Sequence, residues 1–164
     1  IAMAKMSGGK AVVTALEAEG VRHVFGLIGS AGMEIFDALH DSRSIRFVGV
    51  RDERTGVHMA DGYARATQRP TLVQLHSTPG VGNAIGALYQ AKRGHSPLVV
   101  IGGDAVYLSS QLEPGSDLPG RIVDEHNFRR SLQELRLFHS QYPESVITPG
   151  HDKSFYDSAP TVWE

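Results

Sequence analysis

Two side chains and one glycine run stand where they could do chemistry. Glu53 follows the apolar run IRFVGV (45–50) and opens the helical pattern ERTGVHMADGYARAT (53–67). A carboxylate in a first helical turn complements the helix dipole. The same carboxyl, tucked at a sheet edge under apolar cover, would have a raised pKa and could hold a proton. Position alone leaves both readings open. His76 ends the run TLVQLH (71–76). It is either a hydrogen-bonded structural residue or a proton carrier. GVGNAIG (80–86) looks like a dinucleotide fingerprint, and Asp104 follows about twenty residues on. Ile85 stands at the third glycine position, so the required spacing fails. The glycines better suit a helix N-terminus that approaches another backbone or a ligand closely. His58, His95, His126 and His139 show no metal-ligand spacing. RSLQELR (130–136) reads as a solvated helix face.

These residues need elements to position them. HVFGLIG (23–29), IRFVGV, TLVQLH and PLVVIGG (97–103) predict four short strands. Ser7 can cap a first helix with the stripe Ala11, Val12, Ala15 and Leu16, stopped at Gly20. A second helix carries Ile35, Phe36 and Leu39, a third spans 53–67, and a small-residue helix spans 81–92. Strand–helix alternation with short connections dictates parallel strands and right-handed crossovers. The expected fold is therefore α/β, a three-layer domain with a mostly parallel sheet. PLVVIGG is continuously apolar, so it is expected to be buried on both faces. In such sheets ligands sit outside the carboxyl ends of the strands. Gly29-Ser30, Asp52-Glu53, His76-Ser77 and Gly103-Asp104 are thus expected along one edge.

Past Asp104 the texture changes. Residues 109–121 are turn-rich, a helix is expected over 124–140, and the short strand ESVIT leads to PGHD. The expected division is 1–5 as an expression scar or a truncation, 6–105 as the α/β module, and 106–164 as a helix–strand tail docking on the same sheet.

Composition bounds the function. The chain has 164 residues, 41% hydrophobic and 21% charged, which is globular composition. Sixteen Lys and Arg against eighteen Asp and Glu give a net charge of −2, which excludes the usual nucleic-acid footprint. The sequence has no cysteine, so disulfides, thiol nucleophiles and Cys-ligated metals are excluded. That fits a cytoplasmic location. No run approaches the roughly 18 apolar residues that span a membrane, and IAMAKMSGG has no apolar signal core.

GVRHVFGLIGS, VRDERTGVHMADGYARAT, LHSTPGVGNAIGALYQA and SPLVVIGGDA, in this order, carry a family resemblance. Residues 8–105 resemble the N-terminal, pyrimidine-binding domain of thiamine-diphosphate-dependent enzymes. The nearest branch is the benzoylformate decarboxylase type, with acetolactate synthase close by. The resemblance implies that Glu53 hydrogen-bonds a ring nitrogen of the cofactor's aminopyrimidine and there exchanges the proton that activates the thiazolium carbon. It implies that His76 and Ser30 handle proton transfer and the substrate carboxylate. Gly82 and Asn83 would lie where the helix approaches the pyrimidine, and Gly29 would join the cofactor-binding set. The implied cofactor is thiamine diphosphate, with Mg only if a partner domain supplies the diphosphate site. The family's Gly-Asp-Gly…Asn motif for that site has no match, because Gly103-Asp104-Ala105 lacks the second glycine. The isolated chain is therefore expected to be inactive. Implied partners are a 2-oxo acid, a diphosphate-binding domain or second subunit, and a second copy in a homodimer.

From about Gly103 the sequence is also similar to the C-terminal part of metallo-β-lactamase-fold lactonases that open acyl-homoserine lactones. That similarity implies metal-binding roles for Asp104 and His151 and a lactone-opening role for Tyr107. The family's HxHxDH cluster is absent, so the implied site is incomplete. A join at the shared GDA string would make the chain a chimera, either non-catalytic or a lactonase remnant.

Overall fold

In the computed structural model, which describes residues 6–103, 109–113 and 125–143, Ser7 begins the first helix as its composition requires. Its Oγ accepts a 3.2 Å hydrogen bond from the Lys10 amide and caps α1 (Gly8–Ala18). Gly20, at φ +79°, turns the chain just past that helix, where a side chain would be strained. The elements that follow are β1 (His23–Gly26), a 3₁₀ turn at Ser30–Gly32, α2 (Met33–Asp41), β2 (Arg46–Gly49) and α3 (Glu53–Thr67). Then come β3 (Thr71–Gln74), α4 (Ser77–Arg93), β4 (Leu98–Ile101), a second 3₁₀ turn at Ser109–Leu112 and α5 (Glu125–Gln141).

The four strands form one parallel sheet in the order β2-β1-β3-β4. Phe25 pairs in register with Val48 on one side and Val73 on the other. Side chains alternate between faces along a strand, and two cores result. Val24 and Leu72 pack with Val13 and Leu16 of α1 and Leu39 of α2. Phe25 and Val73 pack with Val57 and Ala60 of α3, Ala84 and Ala87 of α4, and Leu135 of α5. The molecule is thus a three-layer α/β domain, as the alternation of patterns dictates.

One expectation about the strands is corrected. The strand buried throughout is β3, whose four residues are all shielded. β4 is not buried on both faces: Val99 and Val100 are 41% and 40% exposed. β4 ends the sheet among the described residues, and α3 lies mainly over β1 and β3. An apolar run marks a strand but not how fully the neighbouring layers reach it.

α4 also starts earlier than its small-residue pattern indicates, at Ser77 rather than Val81. Pro79 falls in its first turn, where a missing N–H costs nothing because those donors have no helical acceptor. Among the described residues no helix is long and apolar enough to cross a membrane. The expected strand at 144–148, together with Asp104, Tyr107 and His151, lies outside the described residues.

Candidate functional site

The site begins with the cap of α3. Asp52 accepts a 3.2 Å hydrogen bond from the Thr55 amide, which fixes the helix start at the carboxyl end of β2. Glu53 is then the first residue of α3, half-buried at the sheet edge. α4 begins where β3 ends, with His76 as the residue before its first turn. Its opening turns carry Gly80 and Asn83 to Glu53. The Asn83 amide Nδ2 donates to Glu53 Oε2 across 3.4 Å, a long bond that orients more than it binds. Gly80 is buried, and a Cβ there would stand 2.8 Å from Glu53 Oε1. A side chain there would push the end of Glu53 aside, so glycine leaves the carboxyl its place. Gly82 is half-buried in the same turn, one residue before Asn83.

A second group forms beside the first. A Cβ at Gly29 would fall on the His76 imidazole, so this glycine makes room for the ring. Ser30 follows, exposed at the start of its 3₁₀ turn. Beneath that turn Gln74 is buried at 3% exposure. Its Nε2 donates 3.0 Å to the Leu75 carbonyl, while Oε1 has no partner among the described residues. The loop after β4 closes in as well. A Cβ at Gly103, which sits at φ +58°, would stand 3.2 Å from Ala31 and 3.6 Å from the Ser77 amide.

The structure therefore gathers the predicted residues into two neighbouring groups on the end of α4. Glu53, Gly80 and Asn83 make one; Gly29 and His76, with Ser30 next in sequence, make the other. The Gly80 amide donates 3.1 Å to the His76 carbonyl, so the first turn of α4 joins the two groups through the backbone. Asp104 and His151 lie outside those residues, so the metal reading of the tail has no geometry. Among the described residues no three His, Cys, Asp or Glu side chains gather into a metal-holding group.

The sequence places Asp52 at the ligand edge without its capping role and Gly80 only within a glycine run that permits close approach, and it gives no sign of Gln74. Asp52 carried a readable signal, since an Asp directly before a helical pattern is a cap. Gln74 had no signal, because a polar residue closing an apolar strand reads as solvent-facing.

Chemically, the arrangement is a carboxyl with one oxygen oriented by an amide donor and the other held over a glycine. Such a group can pass a proton to a ligand placed against it. A half-buried imidazole stands nearby for a second transfer.

The family described as thiamine pyrophosphate enzyme, N-terminal TPP binding domain, matches residues 6–131. That match runs through the Gly103-Asp104-Ala105 string, and nothing in it supports a lactonase-like tail or a join there. The acetolactate synthase large subunit of Haemophilus influenzae is 40% identical over 130 residues, covering 77% of this chain and 23% of that protein. Acetolactate synthase isozyme 3 large subunit of Escherichia coli is 46% identical over 101 residues, covering 62% of this chain and 18% of that protein. Among solved structures, the thiamine diphosphate-dependent 4-hydroxybenzoylformate decarboxylase of Rhodococcus jostii aligns with a TM-score of 0.55 at 36% identity. It covers 65% of this chain and 20% of that one. The chain thus spans about a fifth of the length of the proteins it resembles.

Proposed function

The chain belongs to the N-terminal TPP-binding domain family of thiamine pyrophosphate enzymes, and from that premise we propose that it forms the pyrimidine side of a thiamine-diphosphate site in an enzyme acting on a 2-oxo acid. The observation that carries this reading is the Glu53 carboxyl, oriented by Asn83 and laid over Gly80. The residues fit the group: the space that a Cβ at Gly80 would fill keeps Oε1 free of side-chain cover, as a ring nitrogen would need.

Bound thiamine diphosphate would supply a nucleophilic carbon and a place for the electron pair left when a 2-oxo acid loses CO₂. The chain's own residues do the rest. Glu53 Oε1 holds or gives a proton at the ring nitrogen. Asn83 stops the carboxyl from rotating, and Gly80 with Gly82 lets α4 lie along the ring. His76 moves a proton at the substrate end, and Ser30 donates to the substrate carboxylate. Gly29 keeps the imidazole in place. A separate domain or a second subunit holds the diphosphate with its Mg, and the chain acts as half of a shared cytoplasmic site.

His76 beside the Ser30 turn favours decarboxylation. A second reading, ligation of two 2-oxo acids, is favoured by the 40% and 46% identity to acetolactate synthases.

Titration of the isotope-labelled chain with thiamine diphosphate, followed by NMR, tests the proposal. Amide shifts at Glu53, Gly80 and Gly82 are expected, and their loss in Glu53→Gln. No response at millimolar cofactor, or one unchanged in Glu53→Gln, would overturn it.

A further inference from the structure

α3 and α4 each follow a strand of one parallel sheet, so they run side by side in the same direction. The Glu53–Asn83 contact lies near their N-terminal ends. A second polar junction lies toward the other end. There Asp61, only 6% exposed, accepts a 2.7 Å hydrogen bond from Arg65 Nε and a second bond from Ser96 Oγ. Arg65 Nη2 donates 3.3 Å to the Gln90 carbonyl of α4. A Cβ at Gly94 would fall on the Arg65 guanidinium, so that glycine leaves the place for it. One carboxylate therefore ties α3 to the end of α4 and to the loop entering β4.

Between the two junctions most buried residues are small: α3 contributes Gly56 and Ala60 beside one larger side chain, Val57, and α4 contributes Ala84 and Ala87. Methyl groups raise only shallow ridges, so packing alone resists sliding along the helix axis weakly. A slide of one residue is about 1.5 Å, enough to break the 3.4 Å Asn83–Glu53 bond. A buried carboxylate is also an expensive way to hold two helices together if stability is the only gain. Burial raises the Asp61 carboxyl, yet the hydrogen bonds from Arg65 and Ser96 and the charges of Arg65 and His58 outweigh it and hold it below its ordinary range.

We propose that Asp61 is a positioning residue for Glu53: with Arg65 and Ser96 it fixes the axial register of α4 on α3, and so sets where Asn83 and Gly80 meet the Glu53 carboxyl. This deepens the reading of Glu53 given above and rests on it.

The test uses the ligand-free full chain and the NMR signal of the Asn83 side-chain amide, with Glu53→Ala defining its unbonded position. Asp61→Asn should move that signal most of the way to the unbonded position, and the milder Ser96→Ala should move it part of the way. Leu16→Ala, which loosens the opposite core, should lower the melting temperature and leave the signal where it was. If Asp61→Asn does not fold, Ser96→Ala decides. An Asn83 signal unmoved in the folded clasp variants would overturn the proposal. So would an equal movement in Leu16→Ala, because general loosening would then explain it. Failure of the thiamine reading shows instead as an absent response to the cofactor, which plays no part in this measurement.

Discussion

The two faces of the sheet are built on opposite plans. Against α1 and α2 the sheet presses large aliphatic side chains, with Leu16, Leu39, Ile45 and Leu72 all buried. Against α3 and α4 it meets smaller side chains, with Ala60, Ala84 and Ala87 beside Val57 and Val81. The first face gains stability from volume. The second gives up volume so that two helices can close around a carboxyl. Burying large side chains contributes more per residue, and only small ones let Gly80 and Glu53 come together.

The difference can be broken from either side. Leu72→Ala removes buried volume from a fully shielded position and should cost about 2–5 kcal/mol, read as a fall in the urea midpoint. Thiamine-diphosphate-induced shifts at Gly80 should survive it below the unfolding range. Ala84→Leu does the reverse. Overpacking should cost about 1–3 kcal/mol, and it should abolish those shifts even where the chain stays folded. If Ala84→Leu kept the full response, the small-residue face would not be serving the site.

Smaller changes sharpen the contrast. Gly80→Ala puts a methyl 2.8 Å from Glu53 Oε1. It should turn the carboxyl away and cancel cofactor binding, while the melting temperature moves by only a few degrees. Asp61 adds a dependence on pH. Its folded pKa lies below that of the unfolded chain, near 3.9. Its contribution is therefore complete above that value and is lost as pH falls through the folded value. Urea midpoints measured from neutral pH downward should fall less steeply below about pH 4 in Asp61→Asn than in the parent. Val100→Thr, at the exposed margin of β4, should stay within about 0.5 kcal/mol of the parent.

Much of this was legible in the residues. Hydrophobic runs marked all four strands, and Ser7, Gly20 and the 53–67 pattern marked helix ends, because these signals are local. The place of Glu53 was legible because an apolar strand and a helical pattern meet at it. The rest was not local. Gly80 matters only through a carboxyl on another helix. Asp61 and Arg65 look like an ordinary i,i+4 surface pair until Ser96 and Gln90 arrive from elsewhere. The exposure of Val100 depends on how far the helices reach across the sheet, which no run of valines records.

β3 is buried from end to end and passes directly into α4 through His76. The amides of that strand should therefore exchange with deuterium only when the whole domain unfolds. α4 inherits its anchor from them. The helix that carries Gly80 and Asn83 is thus held at its start by the most protected strand of the sheet and toward its far end by the Asp61 junction, so the two anchors together fix the surface a ligand would meet.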